Sequence, residues 1–448
     1  MSASSQREIA VFSAARRLGA AERSTFLSET CGDDLELKAR IESLLRASES
    51  AGGFLEGSEG MEDPIQLSRA VTGREQIGRY KLLQQIGEGG CGVVYLAEQV
   101  EPVHRRVALK LIKLGMDTKQ VIARFSAERQ ALAMMDHPNV AKVLDAGTTS
   151  LGRPYFVMEL VRGIKITEYC DQNNLLLEDR LTLFLQVCRA IHHAHEKGII
   201  HRDIKPSNIL VTMQDGEPLP KVIDFGIAKA TQGRLTDQTV FTAFEQFLGT
   251  PAYMSPEQAE MSSLEVDNRS DIYSLGVLFY ELITGKPPFE QKELVSAGLD
   301  EMRRMVRETE PPLPSCRVSS MMASEMTTIA SRRRITAPKL VQSVRGDLDC
   351  IAMKCLEKNR NRRYPSVQEL AADIRRFLQD EPILATPPGL LYRIGKLVRR
   401  NQIAVIASSA VLVGLILGLV LALWVLSRAG KQPARFEQDP TLQLTPRD

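Results

Sequence analysis

Four polar side chains in the middle of the chain have the types and spacing that phosphoryl transfer to a hydroxyl requires. Asp203 is followed closely by Lys205 and Asn208, and a second carboxylate, Asp224, comes after a strand-like stretch. In such a reaction a carboxylate accepts the hydroxyl proton, a cation offsets phosphate charge, and amide and carboxylate oxygens hold Mg²⁺. The segment therefore predicts metal-assisted chemistry on a phosphate.

A glycine-rich turn near residue 90 is a second candidate site. Gly87, Gly89 and Gly92 occupy the first, third and sixth positions of a six-residue segment. A backbone without side chains can bend tightly there and bring its N–H groups against phosphate oxygens. Dinucleotide sites have the same spacing, but a helix follows it directly in those sites, whereas two further strand-like runs follow here. We therefore set the dinucleotide interpretation aside.

Lys110 interrupts an apolar run from Val107 to Ile112. A cation in apolar surroundings needs an anion to compensate its lost hydration, and either a phosphate or a carboxylate would serve. Glu128 is the carboxylate candidate because it falls at helical spacing with the apolar residues 121, 125 and 132. An ion pair is predicted, and the alternative for Lys110 alone is a surface lysine with a buried stem.

The order of these motifs resembles that of the eukaryotic-type protein kinase family, in its bacterial membrane-anchored serine/threonine form. The resemblance covers about residues 80–378. It implies a bilobal α+β fold, with a small β-rich lobe over 80–158 and a larger helical lobe over 159–378. The segments that carry the resemblance are 87–94, 107–110, 201–208, 224–226 and 249–257.

The resemblance also implies a role for each residue of the catalytic segment. Asp203 would be the catalytic base and Lys205 the contact to the γ-phosphate of ATP. Asn208 and Asp224 would hold Mg²⁺, for which Mn²⁺ could substitute.

ATP itself would be held mainly by the small lobe and by the segment that joins the lobes. Lys110, paired with Glu128, would bind the α- and β-phosphates, and Met158 would be the gatekeeper of the adenine pocket. Adenine would bond to backbone groups of Glu159 and Val161. The other ATP contacts implied are Gly87, Glu88, Gly89, Gly92 and Val94.

Residues 249–257 resemble the end of a kinase activation segment. Lys205 together with Thr250 is the serine/threonine pattern, since tyrosine kinases replace both residues. Arg202 would pair with a phosphate on the activation loop, so autophosphorylation of the loop threonines is a hypothesis. The alternative is that these threonines are ordinary polar loop residues. The loop threonines are Thr231, Thr236, Thr239 and Thr242.

The resemblance also implies structural roles for Glu257 and Asp271, and the sequence departs slightly from the family pattern at Ser255. Ser255 replaces the alanine that is commoner before Pro-Glu, Glu257 should pair with Arg363, and Asp271 should brace the catalytic loop. A pseudokinase scaffold and a small-molecule kinase are the competing interpretations. The complete set of catalytic residues argues against the scaffold, and the 250–257 segment, a protein-substrate feature, argues against the small-molecule kinase.

The composition is that of a globular protein with no bias toward nucleic acid. Of 448 residues, 44% are hydrophobic and 25% charged, with a formal net charge of +2. The seven cysteines are scattered without a Cys-x-x-Cys pair, which argues against a disulfide framework and a zinc site and favours a reducing compartment.

The domain organisation follows from changes in residue pattern along the chain. Residues 1–47 have helical periodicity, and 48–79, rich in Gly, Ser and Glu, predict a flexible linker. After the kinase segment, a basic juxtamembrane stretch over 379–402 is predicted to lie against anionic headgroups. Between 288 and 345, two arginine clusters favour a solvated insertion, with a docking surface as the alternative.

Residues 403–426 contain no charge and are long enough to cross a membrane as one helix. We expect a single-pass protein of the cell membrane, since the need for ATP places the kinase in the cytoplasm and residues 427–448 outside. A stripe of small residues in the span could support a homodimer, although small residues are common in spans. The stripe consists of Ala410, Gly414, Gly418 and Ala422.

Overall fold

The structure is a computed structural model of the chain, and it divides into two units, Met1–Ala70 and Val71–Asp448. It describes isolated positions in the first unit and, in the second, the stretches 76–89, 92–112, 135–150, 152–225, 251–260, 266–385 and 402–429 with a few positions between the last two. In the first unit, the described residues 26–27, 30–31 and 37–38 are helical, and Leu27, Cys31 and Leu37 are buried.

The small lobe is an antiparallel six-stranded sheet with the strand order β1-β2-β3-β4-β6-β5. Its apolar face buries Tyr80, Leu82, Val107, Leu109 and Val157 in a core of its own. Side chains alternate between faces along a strand, so the face opposite Leu109 receives Lys110. The strands are β1 Gln76–Ile77, β2 Tyr80–Gly89, β3 Gly92–Gln99, β4 Arg105–Ile112, β5 Val143–Thr148 and β6 Pro154–Glu159.

Strand β1 lies inside the range predicted as linker. Gln76 pairs with Lys81 and Ile77 with Tyr80, across a turn in which Gly78 adopts φ +56°. The last residues of 48–79 are therefore part of the sheet. The prediction missed them because a two-residue strand carries too little alternation to recognise.

A second sheet of three strands carries the ends of the catalytic segment. Its order is β7-β8-β9, with β7 Ile164–Lys165, β8 Ile209–Gln214 and β9 Glu217–Val222. A 3₁₀ turn, Pro206–Asn208, leads into β8, and Asp224 follows β9. The hairpin thus brings Asn208 and Asp224 to the same end of the sheet.

The large lobe is helical, and its centre is the buried helix Asn268–Thr284. Gly276 of this helix lets the helix Asp347–Cys355 approach closely, since a Cβ there would lie 2.4 Å from the Cβ of Cys355. The described helices are α1 Ile166–Gln172, α2 Leu177–Glu196, α3 Pro256–Ala259, α4 Asn268–Thr284, α5 Gln291–Ser296, α6 Leu299–Glu308, α7 Pro314–Ser319, α8 Ala323–Ser331, α9 Ala337–Val344, α10 Asp347–Cys355, α11 Val367–Leu378 and α12 Gln402–Ala429.

The segment 288–345 is a packed part of the large lobe, so the prediction of a solvated insertion was wrong. Helices α5 to α9 bury apolar side chains such as Met302, Val318 and Leu340 in the main core. Arg333 of the second arginine cluster is only 1% exposed, and it donates to the carbonyls of Leu282 (2.9 Å) and Ile329 (3.1 Å). Backbone carbonyls replace water around this cation, and burial lowers its pKa to about 9.

The chain that follows α11 packs back onto the large lobe. Asp373 on α11 accepts backbone N–H groups of Leu384 (2.8 Å) and Ala385 (2.9 Å). Lys396, 7% exposed, pairs with Asp347 at 2.7 Å, and the Tyr392 hydroxyl lies 3.0 Å from the same carboxylate. Lys396 was predicted to face lipid headgroups and instead has its counter-ion, Asp347, within the large lobe.

Helix α12 lies in the C-terminal apolar segment. Its large apolar side chains between 411 and 426 are each at least half exposed. Over the part of the chain that the structure describes, no helix is long and apolar enough to cross a membrane.

Candidate active site

The carboxylate of Asp203 is held by two neighbours on the catalytic loop. Its Oδ2 atom lies 2.9 Å from Lys205 Nζ and accepts a hydrogen bond from Asn208 Nδ2 at 3.0 Å. The same Asn208 nitrogen donates to the Asp203 carbonyl at 2.8 Å. Because the amide nitrogen of Asn208 is committed to Asp203, its oxygen is turned away from that carboxylate.

Asp271 of helix α4 braces this loop from below, as predicted. Its carboxylate is fully buried and accepts the backbone N–H groups of His201 and Arg202, each at 2.8 Å. His195, at the end of α2, contacts Oδ2 of the same carboxylate at 2.8 Å. Helices α2 and α4 therefore fix the backbone immediately before Asp203.

His201 supports the loop from inside. Burial lowers the pKa of this fully buried imidazole, and its Nδ1 accepts the Asp203 N–H at 3.3 Å. Its ring lies 4.6 Å from the ring of Phe225. By accepting this backbone hydrogen bond, His201 helps to orient the loop.

Lys110 and Asp224 form an ion pair that joins the two lobes across the site. Lys110 is 8% exposed and lies on β4 between Val94 of β3 and Phe156 of β6. Asp224 has a φ of +60°, which is uncommon for a residue other than glycine. The predicted partner Glu128 lies outside the described residues.

The predicted adenine-contacting residues lie at the end of β6. Met158 is in register with Ala108 of β4, and Glu159 is the last residue of the strand. The Glu159 N–H donates to the Lys142 carbonyl at 2.8 Å, so this N–H is already used within the protein. The Glu159 carboxylate pairs with Lys221 of β9 at 2.7 Å. Val161 lies two residues after Glu159, in the connection between the lobes.

The glycines at the first, third and sixth positions of the glycine-rich turn differ in whether packing requires them. A Cβ on Gly92 would lie 2.4 Å from the carbonyl oxygen of Leu111, so strand packing alone requires glycine there. A Cβ on Gly87 would make only ordinary contacts with Val94, and one on Gly89 would meet no atom within 4 Å. Packing therefore requires glycine only at position 92. If glycine is required at positions 87 and 89, the reason would be a bound ligand.

The predicted ion pair at the end of the activation segment is confirmed. Arg363 binds both carboxylate oxygens of Glu257, at 2.7 and 2.8 Å, and Ser270 Oγ donates to one of them at 2.5 Å. Burial raises the pKa of Glu257, but the hydrogen bonds and charge of Arg363 more than offset this and lower it overall. Thr250 and the loop threonines lie outside the described residues.

Ser255 and Gln258 are two functional candidates whose roles the sequence interpretation missed. They form a capping box at the start of helix α3, and Gln258 Nε2 also donates to the Arg202 carbonyl at 2.9 Å. The signal was present, because Ser-x-x-Gln is a capping-box pattern. It also accounts for serine in place of the commoner alanine.

The donor set at Asn208 and Asp224 suits Mg²⁺. Both residues offer oxygen ligands, and Mg²⁺ needs only one or two protein ligands when phosphates and water complete its shell. In the described stretches, no group of three or more His, Cys, Asp or Glu residues could hold a metal ion. The oxygen donors of Asn208 and Asp224 fit a metal that is bound together with a phosphate ligand.

Comparisons with known proteins identify related sequences. The family model described as "Protein kinase domain" matches residues 80–373. The serine/threonine-protein kinase PknB of Mycobacterium leprae is 34% identical over 310 residues, which are 68% of this chain and 44% of that protein. The serine/threonine-protein kinase pkn3 of Myxococcus xanthus is 35% identical over 279 residues, 61% of this chain and 50% of that one.

The chain therefore spans half or less of the length of these relatives. Among solved structures, the PknI kinase domain of Mycobacterium tuberculosis is 22% identical with a TM-score of 0.48, and the match covers 68% of this chain and 99% of that one. With its kinase-family match over 294 residues and these bacterial relatives, the chain belongs to the eukaryotic-type serine/threonine protein kinase family.

Proposed function

We propose that this chain transfers the γ-phosphoryl group of ATP to Ser or Thr hydroxyls of protein substrates. The observation that carries the proposal is the arrangement around Asp203. Its carboxylate is fixed by Lys205 and Asn208, and the loop before it is fixed by Asp271. This is a rigid acceptor for a hydroxyl proton with a cation beside it.

In the proposed reaction, Asp203 orients the substrate hydroxyl and accepts its proton as the new O–P bond forms. The bond between the γ-phosphorus and the bridging oxygen breaks, and its electron pair leaves with ADP. Lys205 Nζ, 2.9 Å from the Asp203 carboxylate, would offset charge on the transferred group. Asn208 and Asp224 would hold Mg²⁺, or Mn²⁺ in its place, which neutralises phosphate charge when bound.

ATP would lie between the lobes. Lys110 would contact its α- and β-phosphates, because this nearly buried cation already faces the carboxylate of Asp224. Gly87 and Gly89 would let the turn cover the phosphates, as neither is required by packing. The other residues proposed to contact ATP are Glu88, Gly92, Val94, Glu128, Met158, Glu159 and Val161.

Regulation by autophosphorylation is part of the proposal. Arg202 Nε is buried and has no hydrogen-bond partner among the described residues, which would suit a phosphate on the activation loop. The acceptors would be among the threonines between residues 231 and 250, and Thr250 would contact the substrate segment.

We also propose that residues 403–426 anchor the chain in the cell membrane with the kinase in the cytoplasm. The uncharged run and the exposed apolar side chains of α12 support this. Two copies could associate through the small-residue stripe, because Gly414 and Gly418 leave open space along one side of the helix.

The test is phosphate transfer from labelled ATP with Mg²⁺, using the full chain in detergent micelles and a generic basic protein as acceptor. We expect incorporation on Ser and Thr that is lost in Asp203→Asn and kept in Asp300→Asn, whose carboxylate is fully exposed. Undiminished transfer by Asp203→Asn would refute the role of Asp203. ATP binding without any transfer by the unaltered chain would favour a scaffold instead.

A further inference from the structure

Arg202, the residue directly before Asp203, has an unusual backbone conformation. Its φ is +63°, in the left-handed region that residues with a Cβ seldom adopt. Rotation about this residue would change the direction in which the Asp203 carboxylate points. Whatever holds Arg202 in this conformation therefore also aims Asp203.

Two side chains hold the peptide groups on either side of Arg202. Asp271 of the central helix accepts the Arg202 N–H at 2.8 Å, and Gln258 donates from Nε2 to the Arg202 carbonyl at 2.9 Å. The first contact comes from the core of the large lobe. The second comes from helix α3, at the end of the activation segment.

The amide of Gln258 is itself oriented by its own helix. Its Oε1 accepts the backbone N–H of Ser255 at 3.0 Å, and Ser255, which is fully buried, accepts the Gln258 N–H through Oγ at 3.4 Å. Because Oε1 is committed to an N–H donor, Nε2 is the end of the amide that faces Arg202. Pro256, the first residue of helix α3, is buried as well, so the start of the helix is fixed in place.

We infer that Gln258 is a positioning residue for phosphoryl transfer. Through the Arg202 carbonyl, it links the end of the activation segment to the direction in which the Asp203 carboxylate points. This inference rests on the proposed kinase function. The side-chain amide of Gln258 contacts Ser255 and the Arg202 carbonyl, so its removal should slow the chemical step and leave substrate binding nearly unchanged.

The experiment is steady-state kinetics on the full chain with Gln258→Glu and Gln258→Met. Glutamate keeps the acceptor for the Ser255 N–H but loses the donor to Arg202, and methionine keeps the volume and loses both. We expect kcat to fall about tenfold in each variant, with KM for ATP and for the protein substrate within about twofold of the unaltered chain. Gln291→Glu, at an exposed first position of helix α5, is the matched control and should keep kcat.

Thermal melts separate this role from a purely structural one. A fall in kcat at an unchanged melting temperature supports the inference. An unchanged kcat in either folded variant overturns it, and so does a rise in KM with kcat intact. If the unaltered chain transfers no phosphate in the same assay, the proposed kinase function fails. That result is distinct from an active chain in which the Gln258 variants keep their kcat.

Discussion

The buried pair Glu257–Arg363 allows a quantitative prediction about stability. Arg363 has a fully buried side chain that uses all five N–H donors, two on Glu257 and three on the carbonyls of Arg269, Glu357 and Lys358. The substitution Glu257→Gln keeps the shape and removes the negative charge. It leaves a buried guanidinium without a counter-ion.

Breaking a buried ion pair from one side costs about 3–5 kcal/mol. In a domain of this size, 1 kcal/mol corresponds to about 2–4 °C in melting temperature, so we expect Glu257→Gln to melt about 10 °C lower. The assay is thermal unfolding of the purified full chain at neutral pH. Removing both charges, with Glu257→Gln and Arg363→Met together, should recover much of the loss because no charge is then left unpaired.

The matched control is Glu308→Gln, which removes a carboxylate that is 60% exposed and pairs loosely with Arg307 at 3.5 Å. Solvent screens such a pair, so the control should melt with the unaltered chain. A Glu257→Gln variant that also melts within about 2 °C of the unaltered chain would refute the argument that Arg363 depends on this charge.

Three further outcomes are expected. Gly92→Ala should lower the melting temperature because its Cβ would press on the Leu111 carbonyl, whereas Gly89→Ala should not; equal melting of the two would contradict the packing argument. Burial raises the pKa of Glu281 to about 7 from 4.5, so the folded chain keeps a proton that the unfolded chain loses. Melting temperature should therefore fall as pH rises from about 5 to 7, and a pH profile of Glu281→Gln as steep as that of the unaltered chain would refute this. Lys396→Ala should free the segment after residue 380, seen as faster limited proteolysis there; unchanged protection would show that the pair with Asp347 is dispensable.

The contacts within the loop that carries Asp203 could be predicted from the sequence because they depend on local spacing. Asp203, Lys205 and Asn208 lie within six residues, so their mutual contacts follow from one loop. The pair Glu257–Arg363 is distant in sequence, and only the family resemblance could predict it.

Other features depended on tertiary contacts that local pattern cannot supply. A run of three arginines indicates a solvated surface, yet Arg333 is buried because the carbonyls of Leu282 and Ile329 happen to face it. Lys396 likewise looked like a membrane-facing cation until its partner Asp347, far back in the sequence, was known. The link from Gln258 to Arg202 depends on the fold in the same way.

The anchoring of Lys396 to the kinase lobe limits how far that lobe can travel from helix α12. Helix α12 begins at Gln402, only six positions after Lys396, and six fully extended residues span about 20 Å. In the membrane-anchored arrangement proposed above, this short connection would keep the catalytic cleft close to the bilayer. Substrate proteins in the same membrane, with acceptor hydroxyls close to the bilayer, would then reach the cleft at high local concentration. Freely diffusing substrates would have to come to the membrane surface.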